Sequence, residues 1–137
     1  MTPPILFWDA SALVPLMVEE GRSMEARDLW TQTTEAYAWE WVLVEVEASL
    51  IRRKACQETW QDWRQLLKKL RLFSLQTEDL GKLRFLNRGM GLRAADAGHL
   101  FMFHGLVHSF FNLELLSFDH EMVTAAQQLG LPGMALT

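Results

Sequence analysis

The chain has 137 residues, half of them hydrophobic, with 13 Lys and Arg against 17 Asp and Glu and a formal charge of −4. This length predicts a single domain, spanning residues 1–137, with a core of its own. The acidic balance is unusual for a passive nucleic-acid binder. Either the partner is not a polyanion, or some acids form a compact site that a cation neutralises.

We expect neither an internal disulfide nor a secretion signal. The single cysteine, Cys56, excludes an internal disulfide, and the residues before Asp9 include no basic side chain, unlike a secretion signal. Residues 97–113 contain no Asp, Glu, Lys or Arg, but they are interrupted by histidines and are shorter than the ~20 apolar residues of a bilayer span. We therefore expect a cytoplasmic protein without membrane association.

Short apolar runs alternate with helical patterns along the chain. Residues 5–8, 71–75 and 113–119 predict strands. Helices are expected at residues 12–19, 23–33, 41–54, 58–70, 77–86, 93–104 and 120–130. Ser23 is the predicted cap of the second helix and Gly130 the stop signal of the last. This alternation predicts an α/β domain around a mainly parallel sheet, in which ligands bind beyond the carboxyl ends of the strands.

Acidic residues follow two of the predicted strands. Asp9 ends the first strand and Asp119 the last, and Asp96 lies near the start of an apolar helix. Because the carboxyl ends of parallel strands meet at one edge of a sheet, these carboxylates can converge there. Each aspartate alone could equally be an ordinary helix N-cap. The repetition of the arrangement favours a site.

Four segments carry a resemblance to a known family: "ILFWDASALVPLMVEEGRS", "VEVEASLIRRK", "GLRAADAGHL" and "LLSFDHEMVTAAQQLGL". Their order along the chain and the distances between them resemble those of PIN-domain proteins. Taken together, the four segments are similar to VapC-type toxins of toxin–antitoxin pairs. The resemblance spans nearly the whole chain. It implies a three-layer α/β/α sandwich and a ribonuclease that binds Mg²⁺ or Mn²⁺ through three or four acids.

By position, the resemblance assigns catalysis and metal binding to Asp9, Glu45, Asp96 and Asp119. The second acid of the family is a Glu followed five residues later by Leu and then by a basic pair, a pattern that Glu45 satisfies. Glu47 is the competing candidate, and helical geometry alone does not decide between them.

Other residues have supporting or substrate-binding assignments. Ser11 is expected to hydrogen-bond Asp9 or a metal-bound water, although a helix cap is equally compatible. Arg52, Arg93 and His120 are the candidates for substrate binding, and the alternative for both arginines is an ordinary solvated face. His99, three residues after Asp96, could be a general base but is more typical of a hydrogen-bonded core residue.

Six tryptophans are many for this length. The resemblance implies a homodimer and a small antitoxin lying in a groove between the early helices, which would contain Trp30, Trp39, Trp41, Trp60 and Trp63. Trp60 and Trp63 have the helical spacing of a core or a packed interface, and both interpretations stay open.

Three alternatives to a toxin ribonuclease follow from the same residues. A haloacid-dehalogenase-like phosphatase also begins with a strand-ending Asp, but it has a second Asp where Ser11 stands here. A PIN fold could retain its acids only to bind RNA or a partner. The nuclease could also serve RNA maturation.

Overall fold

A five-stranded parallel sheet forms the centre of the computed structural model, which describes residues 5–110, 112–131 and 133–134. The strands are β1 (Ile5–Trp8), β2 (Ala36–Trp39), β3 (Leu70–Phe73), β4 (Leu113–Leu116) and β5 (Gly133–Met134). Their spatial order is β3-β2-β1-β4-β5, and each neighbouring pair is parallel.

Helices connect the strands. They are α1 (Ala10–Leu13), α2 (Ser23–Gln32), α3 (Val42–Arg52), α4 (Gln57–Leu67), α5 (Leu80–Met90), α6 (Ala94–Val107) and α7 (His120–Gln128), with short 3-10 helices at Val14–Leu16 and Thr77–Asp79. Among the described residues, no helix combines the length and the apolarity needed to cross a membrane.

The two faces of the sheet carry separate halves of the core, because successive strand side chains point to opposite faces. Leu6 and Trp8 pack with buried residues of α1, α3 and α4. Phe7 and Tyr37 pack on the other face with buried residues of α6 and α7. The predicted α/β/α sandwich around a parallel sheet is therefore confirmed.

The chain reverses its direction across the sheet beside β1. From β1 it proceeds outward to β2 and β3, then returns to β4 on the other side of β1. A crevice forms where the connections diverge in this way, beyond the carboxyl ends of the two central strands. The amide of Asp9 donates to the carbonyl of Leu116 at 3.1 Å, so the ends of β1 and β4 are held side by side.

Strand β2 was absent from the sequence prediction. Its residues, "AYAW", are too few and too apolar to show the period of a strand or a helix, and their burial between β1 and β3 makes them a strand. Trp39, which we expected in a helix of the antitoxin groove, therefore lies at the end of β2.

Two predicted helix signals had different outcomes. Ser23 does not cap α2: its N-cap is Arg22, and the Ser23 hydroxyl donates to the carbonyl of Val18 and accepts from the amide of Glu20. Gly130 follows the end of α7 with φ +72°, a left-handed conformation that glycine adopts without strain, so the stop signal is confirmed.

The helix expected at residues 12–19 is shorter than predicted and starts earlier. The α-helical part ends at Leu13, and a 3-10 turn replaces the rest. Pro15 has no backbone N–H to continue the α-helical hydrogen bonds, which accounts for the interruption.

A matched pair of phenylalanines tests the core. Phe7 is fully buried in β1, whereas the side chain of Phe85 on α5 is 75% exposed. We expect Phe7→Ala to lower the free energy of unfolding by about 3–5 kcal/mol and Phe85→Ala to change it by less than about 0.5 kcal/mol. Urea unfolding followed by circular dichroism measures both, and equal effects would contradict the described core.

Candidate active site

Asp9 is buried at the end of β1, and its carboxylate does not cap a helix. The carbonyl of Asp9 accepts from the amides of Ala12 and Leu13, but its side chain makes no capping hydrogen bond to α1. Oδ2 accepts instead from the hydroxyls of Ser11 at 2.6 Å and Ser117 at 2.9 Å. The two hydroxyls therefore orient the carboxylate of Asp9, which makes no hydrogen bond to the N-terminus of α1.

The two candidate glutamates of α3 contact different parts of the protein. Glu47 Oε2 accepts from the indole N–H of Trp63 at 3.0 Å and so lies against α4. Glu45 Oε1 is hydrogen-bonded to His99 Nε2. One ligand atom each of Asp9, Glu45 and His99 lie within 4.8 Å of one another. Of the two glutamates, the structure thus brings Glu45 to Asp9.

His99 is fully buried on α6, in the middle of the acids. Its Nε2 lies 3.7 Å from Asp9 Oδ1, besides the hydrogen bond to Glu45. Burial alone would lower the pKa of His99, but the hydrogen bond to Glu45 and the charges of Asp9, Glu45 and Asp96 raise it above 6.5. His99 is a buried residue, as its position on an apolar helix suggested, but its partners belong to the acid cluster.

Asp96 and Asp119 complete this cluster. Burial, followed by the negative charges of Asp119 and Asp9 and a hydrogen bond with Asp119, raises the pKa of Asp96 to about 6. Asp119 also caps α7, since its Oδ1 accepts from the amide of Glu121 at 2.9 Å. For Asp119 the cap and the site are thus compatible, because a carboxylate has several acceptor positions.

Ser117 also belongs to this site, although the sequence did not suggest it. It is fully buried, it donates to Asp9 Oδ2, and it accepts from the amide of Asp119 at 3.0 Å. Its hydroxyl thereby joins the ends of β1 and β4. A usable signal existed in the sequence: Ser117 precedes Asp119 by two residues, as Ser11 follows Asp9 by two.

Arginines surround a cavity of about 480 Å³ that opens beside Ser11 and Glu45. Arg52, a predicted substrate-binding residue, lines it, and no ion pair of Arg52 occurs within the described parts of the chain. Arg22, which the sequence did not suggest, also lines this cavity, and its guanidinium carbon lies 4.2 Å from the centroid of the Phe118 ring. Glu20 and Glu45 line the cavity as well. Arg22 and Arg53 form ion pairs with Glu25 and Glu20, so within the described residues Arg52 supplies the unpaired positive charge of this lining.

The other two substrate-binding candidates have different surroundings. Arg93 is exposed at the N-cap of α6, three residues before Asp96. His120 is exposed at the first position of α7 and lines a separate cavity with Met90 and Glu121. The structure thus brings Arg52 beside the acids but directs His120 toward another surface.

The donor set fits a hard divalent cation. Neither lysine nor arginine forms an ion pair with Asp9, Glu45, Asp96 or Asp119 in the described ranges. Mg²⁺ and Mn²⁺ prefer carboxylate oxygens, and a bound cation would counteract the burial and the negative charges that raise the pKa of Asp96.

The raised pKa of Asp96 predicts a pH-dependent stability. A group whose folded pKa exceeds its unfolded value stabilises the fold fully below the unfolded pKa, and this contribution is lost as pH rises through the folded pKa. In metal-free protein, Asp96→Asn should therefore gain stability relative to wild type between about pH 4 and 7, by ~1 kcal/mol after allowance for partial exposure.

Urea unfolding with EDTA at several pH values measures this difference. Asp62→Asn, on an exposed position of α4, is the matched control and should show no such trend. A difference between Asp96→Asn and wild type that is constant with pH would contradict the expectation.

Comparisons with known proteins show the fold. No family model matches the sequence, and neither does any curated protein. Among solved structures, PAE2754 of Pyrobaculum aerophilum is 18% identical over 96% of this chain and 92% of its own, with a TM-score of 0.59. VapC20 of Mycobacterium tuberculosis, described as a toxin that cleaves the sarcin–ricin loop, is 19% identical over 88% of this chain and 94% of its own, with a TM-score of 0.68. At these identities the likeness establishes architecture, and the chain has the PIN-type α/β fold that its sequence motifs resemble.

Proposed function

We propose that this protein is a metal-dependent endoribonuclease. The observation that carries the proposal is the group of Asp9, Glu45 and His99, whose ligand atoms lie within 4.8 Å of one another. Asp96 lies close enough to Asp9 and Asp119 for their charges to raise its pKa, and no lysine or arginine in the described chain pairs with any of the four acids. A cluster of this kind is costly unless a cation occupies it. A phosphodiester is the substrate class for which such a metal centre is suited.

Mg²⁺ or Mn²⁺ bound to these acids would supply an activated water and stabilise negative charge on the phosphate and the leaving oxygen. The chain's own residues orient the ligands. Ser11 and Ser117 hold Oδ2 of Asp9, and His99 holds Glu45. Because these partners are buried or part-buried, each carboxylate has a defined direction before substrate binds. Cleavage then requires no protein nucleophile.

The arginine-lined cavity supports a polyanionic substrate. Arg52 and Arg22 lie on the side of the cluster where Glu45 and Ser11 meet solvent, and Arg53 lines the same cavity while paired with Glu20. Arginines bind phosphates with paired, directional hydrogen bonds. Although the net charge is −4, RNA would meet a locally basic surface, with Arg93 at a further edge of the site.

The biological role that we propose is that of a VapC-type toxin. It is supported by the motif resemblance and by the shared fold with VapC20, which is described as an RNA-cleaving toxin. On this proposal the protein is a single cytoplasmic domain that forms a homodimer and is inhibited by a small antitoxin. An antitoxin-like gene directly upstream would favour this role over RNA maturation.

The central test is Asp9→Asn. The substitution retains size but removes the charge that two serines orient, so Mg²⁺-dependent cleavage should fall by about 100-fold or more, beyond the ~10–100-fold typical of residues that only support a ligand. Cleavage of an end-labelled RNA by purified protein, with Mg²⁺ or with EDTA, measures it. Asp62→Asn is the control and should cleave like wild type.

Equal cleavage by Asp9→Asn and wild type would contradict the assignment of a nuclease site to these acids. RNA binding without cleavage by the wild-type protein would favour the non-catalytic alternative.

The choice between the two glutamates can be tested by metal binding alone. We expect Glu45→Gln to weaken Mn²⁺ binding roughly 10–100-fold, because Glu45 faces Asp9 across the cluster. Glu47→Gln should leave the affinity unchanged, since Glu47 is engaged by Trp63. Isothermal titration calorimetry gives both dissociation constants, and the reverse order would assign the second acid to Glu47.

A further inference from the structure

Two tryptophans form a stacked pair beside the acid cluster. Trp39 is the last residue of β2 and Trp41 is the N-cap of α3. Their ring centroids lie 5.9 Å apart with an interplanar angle of 26°. Trp8 and Trp63 are buried in the core, whereas Trp41 is 44% exposed. Trp41 thus presents a large aromatic surface to solvent.

The inner ring of the pair is held in place by close packing. A Cβ on Gly98 would lie 2.4 Å from the Trp39 ring, so any side chain at this position of α6 would displace the indole. Trp39 also makes an edge-on contact with the imidazole of His99, with centroids 5.0 Å apart and an angle of 80°. Trp39 is therefore fixed between α6 and Trp41.

The pair is connected to the proposed metal ligands at two points. The carbonyl of Trp41 accepts from the amide of Glu45 at 3.1 Å, so Trp41 lies one helical turn before this acid. The His99 ring that Trp39 contacts is hydrogen-bonded to Glu45 and lies close to Asp9. A nucleotide whose phosphate reached the cluster would therefore have the aromatic pair at its side.

We propose that Trp41, backed by Trp39, is a stacking subsite for an unpaired nucleobase next to the phosphate that is cleaved. This inference rests on the proposed function and names how that site holds its substrate. Every base has an aromatic face, and a rigid exposed indole receives it with little loss of side-chain freedom. Bases inside a duplex are already stacked on their neighbours, so the subsite selects single-stranded segments and loops.

Binding in the cleavage-deficient Asp9→Asn background tests the subsite. Fluorescence anisotropy with a short labelled single-stranded RNA should show a roughly 10–100-fold loss of affinity for Trp41→Ala and a much smaller loss for Trp41→Phe, which keeps an aromatic face. Phe85→Ala, an exposed aromatic on α5, is the matched control and should bind unchanged.

Abasic substitutions in the RNA identify the stacked base. In the Asp9→Asn protein with Trp41 intact, removing the base at one RNA position should weaken binding by a similar factor. In the protein that also carries Trp41→Ala, the same abasic RNA should bind no more weakly than the intact RNA, because the stacking contact is already lost. Independent, multiplicative effects at every position would overturn the inference. So would unchanged RNA binding by Trp41→Ala, the result expected if the exposed Trp41, Val44 and Ile51 side chains of α3 received a protein partner instead.

The outcomes separate this inference from the proposed function. If wild-type protein cleaves RNA and Trp41→Ala binds and cleaves equally well, only the stacking subsite is wrong. If Trp41-dependent binding is found but wild-type protein does not cleave, the nuclease proposal fails, and Trp41 is a base-stacking residue of an RNA-binding protein. If no variant binds RNA, both fail.

Discussion

Negative charge that no lysine or arginine of the described residues pairs with, at the junction of β1 and β4, is the constraint on which the rest of the structure depends. Burial, and after it the negative charges of Asp119 and Asp9, raises the pKa of Asp96 to about 6, because the charged form of a carboxyl group is disfavoured both out of water and beside other acids. In the described chain the imidazole of His99 lies 3.7 Å from Asp9 and is hydrogen-bonded to Glu45, and a single imidazole cannot balance four acids. The group of Asp9, Glu45 and His99 could therefore hold a cation.

The scaffold tolerates this charge because its hydrogen bonds are built across the sheet. Ser117 at the end of β4 and Ser11 after β1 both donate to the same oxygen of Asp9. Their hydroxyls orient the carboxylate without neutralising it, so its negative charge stays available to a ligand. The switch in strand order opens the crevice at this edge, and the arginines line only one side of it. A protein of acidic net charge in this way places an arginine without an ion pair in the described chain, Arg52, beside its acids.

Much of the fold was predictable because its signals are local. An apolar run that stops at a charge predicts β1, which ends at Trp8 just before Asp9, and Gly130 predicts a helix stop. The same signal predicts β4, although this strand ends at Leu116, three residues before Asp119. The features that the sequence did not predict have physical causes. Strand β2 is too short and apolar to show a period, and Pro15 divides what the pattern presents as one helix. Arg22 carries no local sign that it lines the cavity next to Glu45.

By itself, the sequence indicated the parallel α/β architecture and placed Asp9 and Asp119 where a predicted strand gives way to a helix, so that their carboxylates could converge at one edge of the sheet. Only the tertiary structure decided which neighbours orient them. Glu45 contacts His99 across 54 residues, and Ser117 contacts Asp9 across 108, while Trp39 lies against α6 because Gly98 leaves room for its ring. Such contacts depend on how strands and helices pack, and no local periodicity encodes them.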